Sequence, residues 1–485
     1  MVREGKMLMY RKQHIVLIQI CKPSLITEKY SDRYPYPPIG LMYLEGILRM
    51  NGYEVTIIDF YLERLKKKDF IVKLRKLSKP LLFGLSSYTD SIEQAYRVAN
   101  TIKEIYPDVP ILLGGTHVSF MYNDVMRECR SIDFACVGEG EGLIVELLEY
   151  LQNGRPLLSE INNLVYRDET GRVIVNKKRG YVTALDIFPL LDYSKNYIDI
   201  MKETDGLVFI SSRGCPGNCI FCASRAFSGP KYRYHSAEWI ISLIYYYKQK
   251  IGFHVFGPLD DTFTVNKSRL EKFVNYLEKF KIGIPWACKS RVDVLNEEIV
   301  GLLKRGNCLS VHIGVESGDS QVLKDIKKNI TLEQVMNSLR LLVKNGIRAE
   351  CSFIIGHPTD TLESIEKTII LASKLDNTNF SLSVVGICTP FPGTTIWNNA
   401  EEYKIDIHTY NWKSYDLGTP IFSTENFTLD DLKRAYFYFN YESRVSPDKL
   451  PNLSGSNLEE YKEKVEQFVN DLILLKEDCN KVLSS

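Results

Sequence analysis

Gly206-Leu-Val-Phe-Ile-Ser-Ser-Arg-Gly-Cys215-Pro-Gly-Asn-Cys219-Ile-Phe-Cys222 runs from an apolar, strand-like segment straight into three cysteines. LVFISS has the length and character of a buried strand, so Cys215, Cys219 and Cys222 fall on the loop beyond its carboxyl end. Thiolate is the soft ligand that iron–sulfur clusters take. Three thiolates on one loop, bent at Gly214 and Gly217, can hold three irons of a cubane and leave the fourth open to chemistry. The competing reading is a zinc site completed by a distant His or Cys. Zinc pairs usually come as C-x2-C with a second similar pair, and no second pair exists here.

Downstream, strand-like runs alternate with helical ones to about residue 420. The strand candidates are LVFISS, HVFGPL, IPWACK, CLSVHIGV, AECSFIIG and NFSLSVVG, separated by segments such as SRLEKFVNYLEKF and TLEQVMNSLRLLVKNG. Six strand–helix units predict an incomplete parallel barrel. Upstream, HIVLIQIC, YEVTIID, LLFGLSS, VPILLGG and FACVGEG alternate with helical stripes between His14 and Tyr150, the pattern of a doubly wound parallel sheet. Pro38 opens one helix, with Leu41, Leu44, Ile47 and Leu48 on its apolar face, and Asp90 is a candidate cap for another. Residues 151–200 are mixed and turn-rich and read as a linker. Beyond Ile421 two stripes, Leu432 to Phe439 and Leu458 to Leu475, predict helices laid over a barrel rim. The expectation is an α/β protein: a Rossmann-like domain over 1–150, a linker over 151–200, a partial (β/α)6 TIM-like barrel over 201–420, and a helical extension over 421–485.

The chain has 485 residues and a formal net charge of +1, which gives no support to a grip on nucleic acid. The basic amino-terminal segment lacks the apolar centre of a secretory signal and no stretch could span a bilayer, so the reading is cytoplasmic. Eleven cysteines, an odd number spread over a long chain, do not describe a disulfide framework.

In open α/β sheets ligands bind beyond the carboxyl ends of the strands. In the first domain those ends carry Ser86-Ser87-Tyr88-Thr89, Gly114-Gly115-Thr116-His117 and Gly138-Glu139-Gly140-Glu141. Small residues there let backbone approach a large ligand closely. A nicotinamide reading of Gly138-x-Gly140 fails on position, since that fingerprint belongs after the first strand and needs a third, correctly spaced Gly.

The C-x3-C-x2-C spacing, with Phe221 before the last cysteine, resembles the radical S-adenosylmethionine (SAM) superfamily. The resemblance continues in order through Asp260-Asp261, Arg291, Glu316-Ser317 and Gly356, each at the end of a successive barrel strand. Asp260-Asp261 stands where many members have Gly-Gly-Glu. The resemblance implies a [4Fe-4S] cluster on the three cysteines, SAM chelating its open iron, and the later positions contacting SAM. Upstream, Pro37-Pro38-Ile39-Gly40-Leu41, Gly52 and Asp59, with Ser86, Ser87, Gly114, Gly115, Thr116, His117, Gly138, Glu139 and Gly140, resemble the cobalamin-binding domain that precedes the barrel in one large subgroup. No D-x-H-x-x-G segment supplies a cobalt-ligating His; the nearest, Asp406-Ile-His408, lacks the Gly and lies outside the domain.

What the resemblance implies is a cobalamin-dependent radical SAM methyltransferase. One SAM methylates cobalt, a second yields a 5′-deoxyadenosyl radical that activates an unreactive carbon, and the substrate radical takes the methyl group. The alternatives are a cyclase, rearrangement or oxidation enzyme of the same subgroup, and a non-catalytic corrinoid or iron–sulfur carrier. A methylthiolating RNA modifier would bring a further cysteine-ligated cluster and a basic module, and neither is visible. The implied partners are a small-molecule substrate and an external one-electron donor such as flavodoxin or ferredoxin, with no membrane.

Overall fold

The computed structural model describes residues 13–21, 36–204, 206–376, 378, 381–442 and 453–484. They divide into two compact units, one running to Gly180 and including Phe188–Asp192, the other made of Tyr181–Ile187 and the chain from Tyr193 onward.

In the first unit the five apolar runs form β1 (His14–Gln19), β2 (Glu54–Asp59), β3 (Leu82–Ser86), β4 (Ile111–Gly114) and β5 (Phe134–Cys136). All five are parallel, in the order β2-β1-β3-β4-β5. Chain direction across the sheet reverses between β1 and β3, and that reversal opens a crevice at their carboxyl ends. Helix α1 (Ile39–Met50) buries Leu41 and Leu48 as its stripe requires. The next helix on that pattern, α2 (Ile92–Ile105), starts later than Asp90, which lies in a single 3-10 turn, Thr89–Ser91. Two further strands, β6 (Leu164–Arg167) and β7 (Val173–Val175), lie in the stretch read as a linker. They extend the sheet antiparallel beyond β5, joined by a turn in which Asp168 accepts from the backbone N–H groups of Thr170 and Arg172.

The second unit carries the six expected barrel strands: β8 (Gly206–Phe209), β9 (Val255–Pro258), β10 (Trp286–Ser290), β11 (Cys308–Glu316), β12 (Arg348–Ile355) and β13 (Ser381–Ile387). They pair in parallel in simple sequence order, which makes a partial barrel with β8 and β13 as its open edges. One face of each strand is buried under helices. Phe256 and Trp286, for example, meet Phe273 of helix α3 (Lys267–Lys279) in edge-on contacts of 6.3 and 5.3 Å. Two more outer helices, α4 (Leu332–Lys344) and α5 (Leu362–Asp376), lie beside β12 and β13. The carboxyl-terminal helix α6 (Glu459–Ser484) packs on α4 and α5, on the outside of the barrel. Arg340 covers the Phe468 ring at 5.1 Å, and Lys374 pairs with Glu466 at 2.9 Å. Among the described residues no helix is long and apolar enough to cross a membrane.

Candidate active site

The cysteine loop follows β8. Gly214 (φ +86°) turns the chain where an added Cβ would lie 2.6 Å from the Lys231 carbonyl, so no other residue fits without movement. Two sulfurs accept backbone hydrogen bonds of 3.4 Å, Cys215 Sγ from Gly217 N–H and Cys222 Sγ from Ser224 N–H. Such bonds favour the charged sulfur that a metal requires. Cys215 and Cys219 are partly exposed. Cys222 is exposed as a residue, yet burial of its sulfur, reinforced by the charges of Asp261, Cys219 and Cys215, pushes its thiol up to about 12. Burial likewise raises Cys219, against the opposing charges of Lys328 and Arg291.

The three thiols are thus close enough to act on one another. Among the described residues, however, no three His, Cys, Asp or Glu side chains surround a point where one ion could sit. A cubane takes each thiolate on a different iron, so its ligands enclose a cluster and not a point. The loop suits that donor set: soft sulfurs on a glycine-bent segment, with amide N–H groups aimed at two of them.

Around the loop, the residues expected at successive strand ends do different jobs. Asp260 is buried, and its carboxylate accepts four hydrogen bonds of 2.6–2.9 Å from the N–H and hydroxyl groups of Ser211 and Ser212. Buried Arg269 closes the same network by donating to the Ser211 carbonyl at 3.0 Å. Asp260 therefore fastens the segment that launches the cysteine loop. Asp261 beside it is exposed and accepts from Ser224 Oγ. Arg291 is held by Asp293 through two bonds of 2.9 and 3.0 Å and donates to the Lys328 carbonyl at 3.0 Å. A Cβ on Gly217 would lie 2.7 Å from Arg291 Nη1, so the glycine makes room for the guanidinium against the loop.

Glu316 ends β11 with a left-handed φ of +71° and forms a buried 2.6 Å ion pair with Lys328. Ser317 is fully buried, its hydroxyl sharing a 3.2 Å bond with Thr368. Gly356 takes φ +78°. Phe221 lies 5.3 Å from the ring of His357, a fully buried imidazole whose nitrogens have no hydrogen-bond partner among the described residues. Burial, helped by the Lys328 charge, lowers His357 to about 3 and keeps it neutral. Sequence reasoning missed Lys328, and it reached the Gly356-His357 segment without giving His357 a role. Nothing in the spacing ties Lys328 to a carboxylate twelve residues earlier; only the fold brings them together.

In the first unit the expected cofactor edge is built from three strand ends. Ser87 N–H donates to the Gly114 carbonyl at 3.2 Å. Gly115 (φ +111°) approaches so closely that a Cβ there would sit 2.1 Å from the Ser87 carbonyl. Ser119 Oγ donates to Gly115 O and accepts from Gly138 N–H, both at 2.9 Å, joining the β4 and β5 ends. Gly138 (φ +80°) has no described residue within 4 Å of where its Cβ would be, and Gly140 precedes the helix Glu141–Asn153. Glu139 offers its carbonyl to Asn163 at 3.2 Å. Thr116 begins the helix Thr116–Glu128 and His117 is its second residue, buried, with Nδ1 3.3 Å from Thr89 Oγ1. Burial lowers His117 to about 4. Ser86 ends β3, and Ser87 beside it is fully buried with a hydroxyl that has no partner among the described residues. An open glycine edge with an orphaned buried hydroxyl fits a large, polar-edged ligand.

Comparison with known proteins matches this division. The B12 binding domain model matches residues 31–148 and the Radical SAM superfamily model residues 209–372. The protein named uncharacterized methyltransferase PH0819, from Pyrococcus horikoshii, is 35% identical over 416 residues, spanning 84% of this chain and 89% of that one. An anaerobic magnesium-protoporphyrin IX monomethyl ester cyclase from Rubrivivax gelatinosus is 28% identical over 80% of this chain and 70% of its own. The radical SAM methyltransferase TsrM from Kitasatospora setae, solved with cobalamin and a [4Fe-4S] cluster, shares the fold with a TM-score of 0.73, at 15% identity over 95% of this chain and 99% of that one. The chain belongs to the family of radical SAM enzymes that carry an N-terminal cobalamin (B12)-binding domain.

Proposed function

We propose that this enzyme transfers a methyl group from SAM to an unactivated carbon of a small-molecule substrate, in the cytoplasm, with electrons from a protein such as flavodoxin or ferredoxin and without nucleic acid. The observation that carries the reading is the three-thiol loop at the carboxyl end of β8, bounded by Asp261, Arg291 and the Glu316–Lys328 pair. Held by these three cysteines, a [4Fe-4S] cluster with SAM would supply radical chemistry, and cobalamin in the other unit would supply methyl transfer.

The chain's own groups have separable tasks. Cys215, Cys219 and Cys222 hold the irons, and amide N–H groups steady two of the sulfurs. Arg291 and Lys328 put positive charge beside Cys219, suited to a carboxylate, while Asp261 and Glu316 offer acceptors suited to an ammonium or ribose hydroxyls. Phe221 packs on His357, and Gly356 beside that histidine turns the end of β12 against Leu432. In the other unit Ser86, Ser87, Gly114, Gly115, Thr116, Gly138 and Gly140 let backbone lie against the corrin, with Glu139 and His117 at its margin. Asp260 acts through Ser211 and Ser212 as a positioning residue.

The likeness to a cyclase keeps ring closure as a second reading. Anaerobic purification with cobalamin supplied, followed by iron, sulfide and corrinoid analysis and incubation with SAM and reductant, tests both. Four irons and one corrinoid per chain, 5′-deoxyadenosine, and a product heavier by one methylene support methyl transfer. An isomer or dehydrogenated product supports the second reading. Fewer than four irons after reconstitution overturns both.

A further inference from the structure

A closed β/α barrel fills its interior with layers of bulky branched side chains. The inner face of this partial barrel does not. The residues that alternate with the helix-covered Trp286, Cys288, Val311, Ile313, Ala349 and Cys351 form registered rows across β10–β13. The lowest row is Ala287, Ser310 and Arg348, the next Lys289, His312, Glu350 and, by backbone register, Leu382, and the next Gly314, Ser352 and Val384. Two of the rows are mostly small, and Lys289 and Val384 stay exposed although they face the interior. The space between the strands is therefore open, and its middle row is charged.

The Gly314 row lies next to the cysteine site. A Cβ on Gly314 would be 2.2 Å from Glu316 Oε1 and 2.6 Å from Lys328 Nζ, so the Gly314 row touches the ion pair. The Lys289 row is one rung deeper, about 6.6 Å along the strands. Within it, Glu350 is already engaged by its neighbours. It accepts from Ser310 Oγ at 2.9 Å, faces His312 Nδ1 at 3.9 Å and Arg348 Nη2 at 4.0 Å, and these neighbours, His312 foremost, hold its carboxyl below the usual range. The Lys289 ammonium has no carboxylate partner among the described residues. The uncommitted charge in the open interior is positive, in a row where His312 adds a second ring nitrogen.

Resting on the proposed function, we infer that Lys289, seconded by His312, is the specificity-determining anchor for the substrate, and that the substrate carries an anionic group, a carboxylate or a phosphate, which points down the barrel away from the cysteine loop. A compact cation on a flexible stem suits either anion. Glu350 orients His312 and disfavours substrates that present a second negative charge at that end.

The test uses the holoenzyme, purified anaerobically with cluster and cobalamin, titrated calorimetrically with inorganic phosphate and separately with acetate at constant chloride-balanced ionic strength. One of the two saturates in the unaltered protein, and which one does identifies the anion. Lys289→Met weakens that binding about tenfold or more, and Lys289→Arg retains most of it. Glu350→Gln, which removes the row's negative charge, strengthens it. Failure of both anions to saturate, equal affinity in Lys289→Met, or weakening in Glu350→Gln overturns the inference. Iron content and circular dichroism verify that each variant is folded. Release of 5′-deoxyadenosine from SAM by the unaltered enzyme reports separately on the proposed function: its absence alongside Lys289-dependent anion binding removes that function and leaves the anion site standing.

Discussion

Glu316 Oε1 and Lys328 Nζ meet at 2.6 Å with both side chains more than nine-tenths buried, at a position where Glu316 holds a left-handed backbone. Breaking such a pair from one side leaves a charge without solvent or partner, at a cost of about 3–5 kcal/mol. Glu316→Gln should therefore destabilise the barrel strongly, because Lys328 is left beside Arg291 with no counter-charge. Glu316→Gln combined with Lys328→Met should recover most of that loss in urea unfolding, yet fail to recover SAM affinity. A double variant no more stable than the single one would show that the two charges act independently.

Asp260 offers a different handle on the same site. Its four hydrogen bonds from Ser211 and Ser212 hold the strand end that launches the cysteine loop. Asp260→Ala leaves those buried donors unsatisfied, each at about 1–3 kcal/mol. The expected result is iron content after reconstitution reduced to less than half, with Cys215, Cys219 and Cys222 all present. Asp260→Asn, which keeps one acceptor oxygen, should fall between. Full iron loading in Asp260→Ala would mean that the loop keeps its shape without this clamp.

Much of this was legible in the sequence, for a physical reason. Strands buried on one or both faces must be written as short β-branched runs, and HIVLIQ or CLSVHIGV can hardly be anything else. Loop chemistry shows through wherever it needs thiols or glycines, as at Cys215-Pro-Gly-Asn-Cys219. Long-range pairing left no such trace. Strands β6 and β7 are brief and half-exposed, so residues 164–175 read as a connector, although the Asp168-Glu-Thr-Gly-Arg172 turn between them was visible. The distinction between Asp260 and Asp261 was likewise invisible, since adjacent identical residues differ only in which way the strand end points them. Lys328 and His357 acquire their surroundings from neighbours far along the chain.

Gly115 tests the cofactor edge of the first unit. Its φ is +111°, and an added Cβ would lie only 2.1 Å from Ser87 O, so Gly115→Ala must displace either β3 or β4 at its carboxyl end. We expect corrinoid content to fall by tenfold or more while the [4Fe-4S] absorbance of the other unit is unchanged. Gly180→Ala is the matched control. Among the described residues nothing lies within 4 Å of its Cβ and its φ is not left-handed, so the variant should fold and bind corrinoid normally.

The pH dependence of stability in the barrel unit turns on buried histidines and buried aspartates of opposite sign. Burial lowers His235 to about 4, in spite of its 3.1 Å contact with Asp186, and lowers His357 to about 3. Each stays neutral in the folded protein while its unfolded counterpart takes a proton below the ordinary histidine value of about 6.5. Each therefore stabilises the fold above pH 6.5 relative to lower pH, and stability falls as pH drops from there toward 4. Burial raises Asp360 to about 7. It has the opposite sign, binding a proton in the folded state from about pH 4 to 7, so its contribution falls as pH rises through that window. Asp260, whose carboxyl burial also raises, has the same sign as Asp360. Each histidine by itself accounts for about one proton taken up on unfolding near pH 5, a slope of about 1.4 kcal/mol per pH unit. In urea unfolding of the apoprotein between pH 5 and 6, His357→Phe, which keeps a ring against Phe221 but cannot titrate, should lower the slope by about that amount, and Asp360→Asn should raise it by about as much. A slope that His357→Phe leaves unchanged would mean that this imidazole is already protonated in the folded protein, and with it that the wall beside the cysteine loop carries a charge.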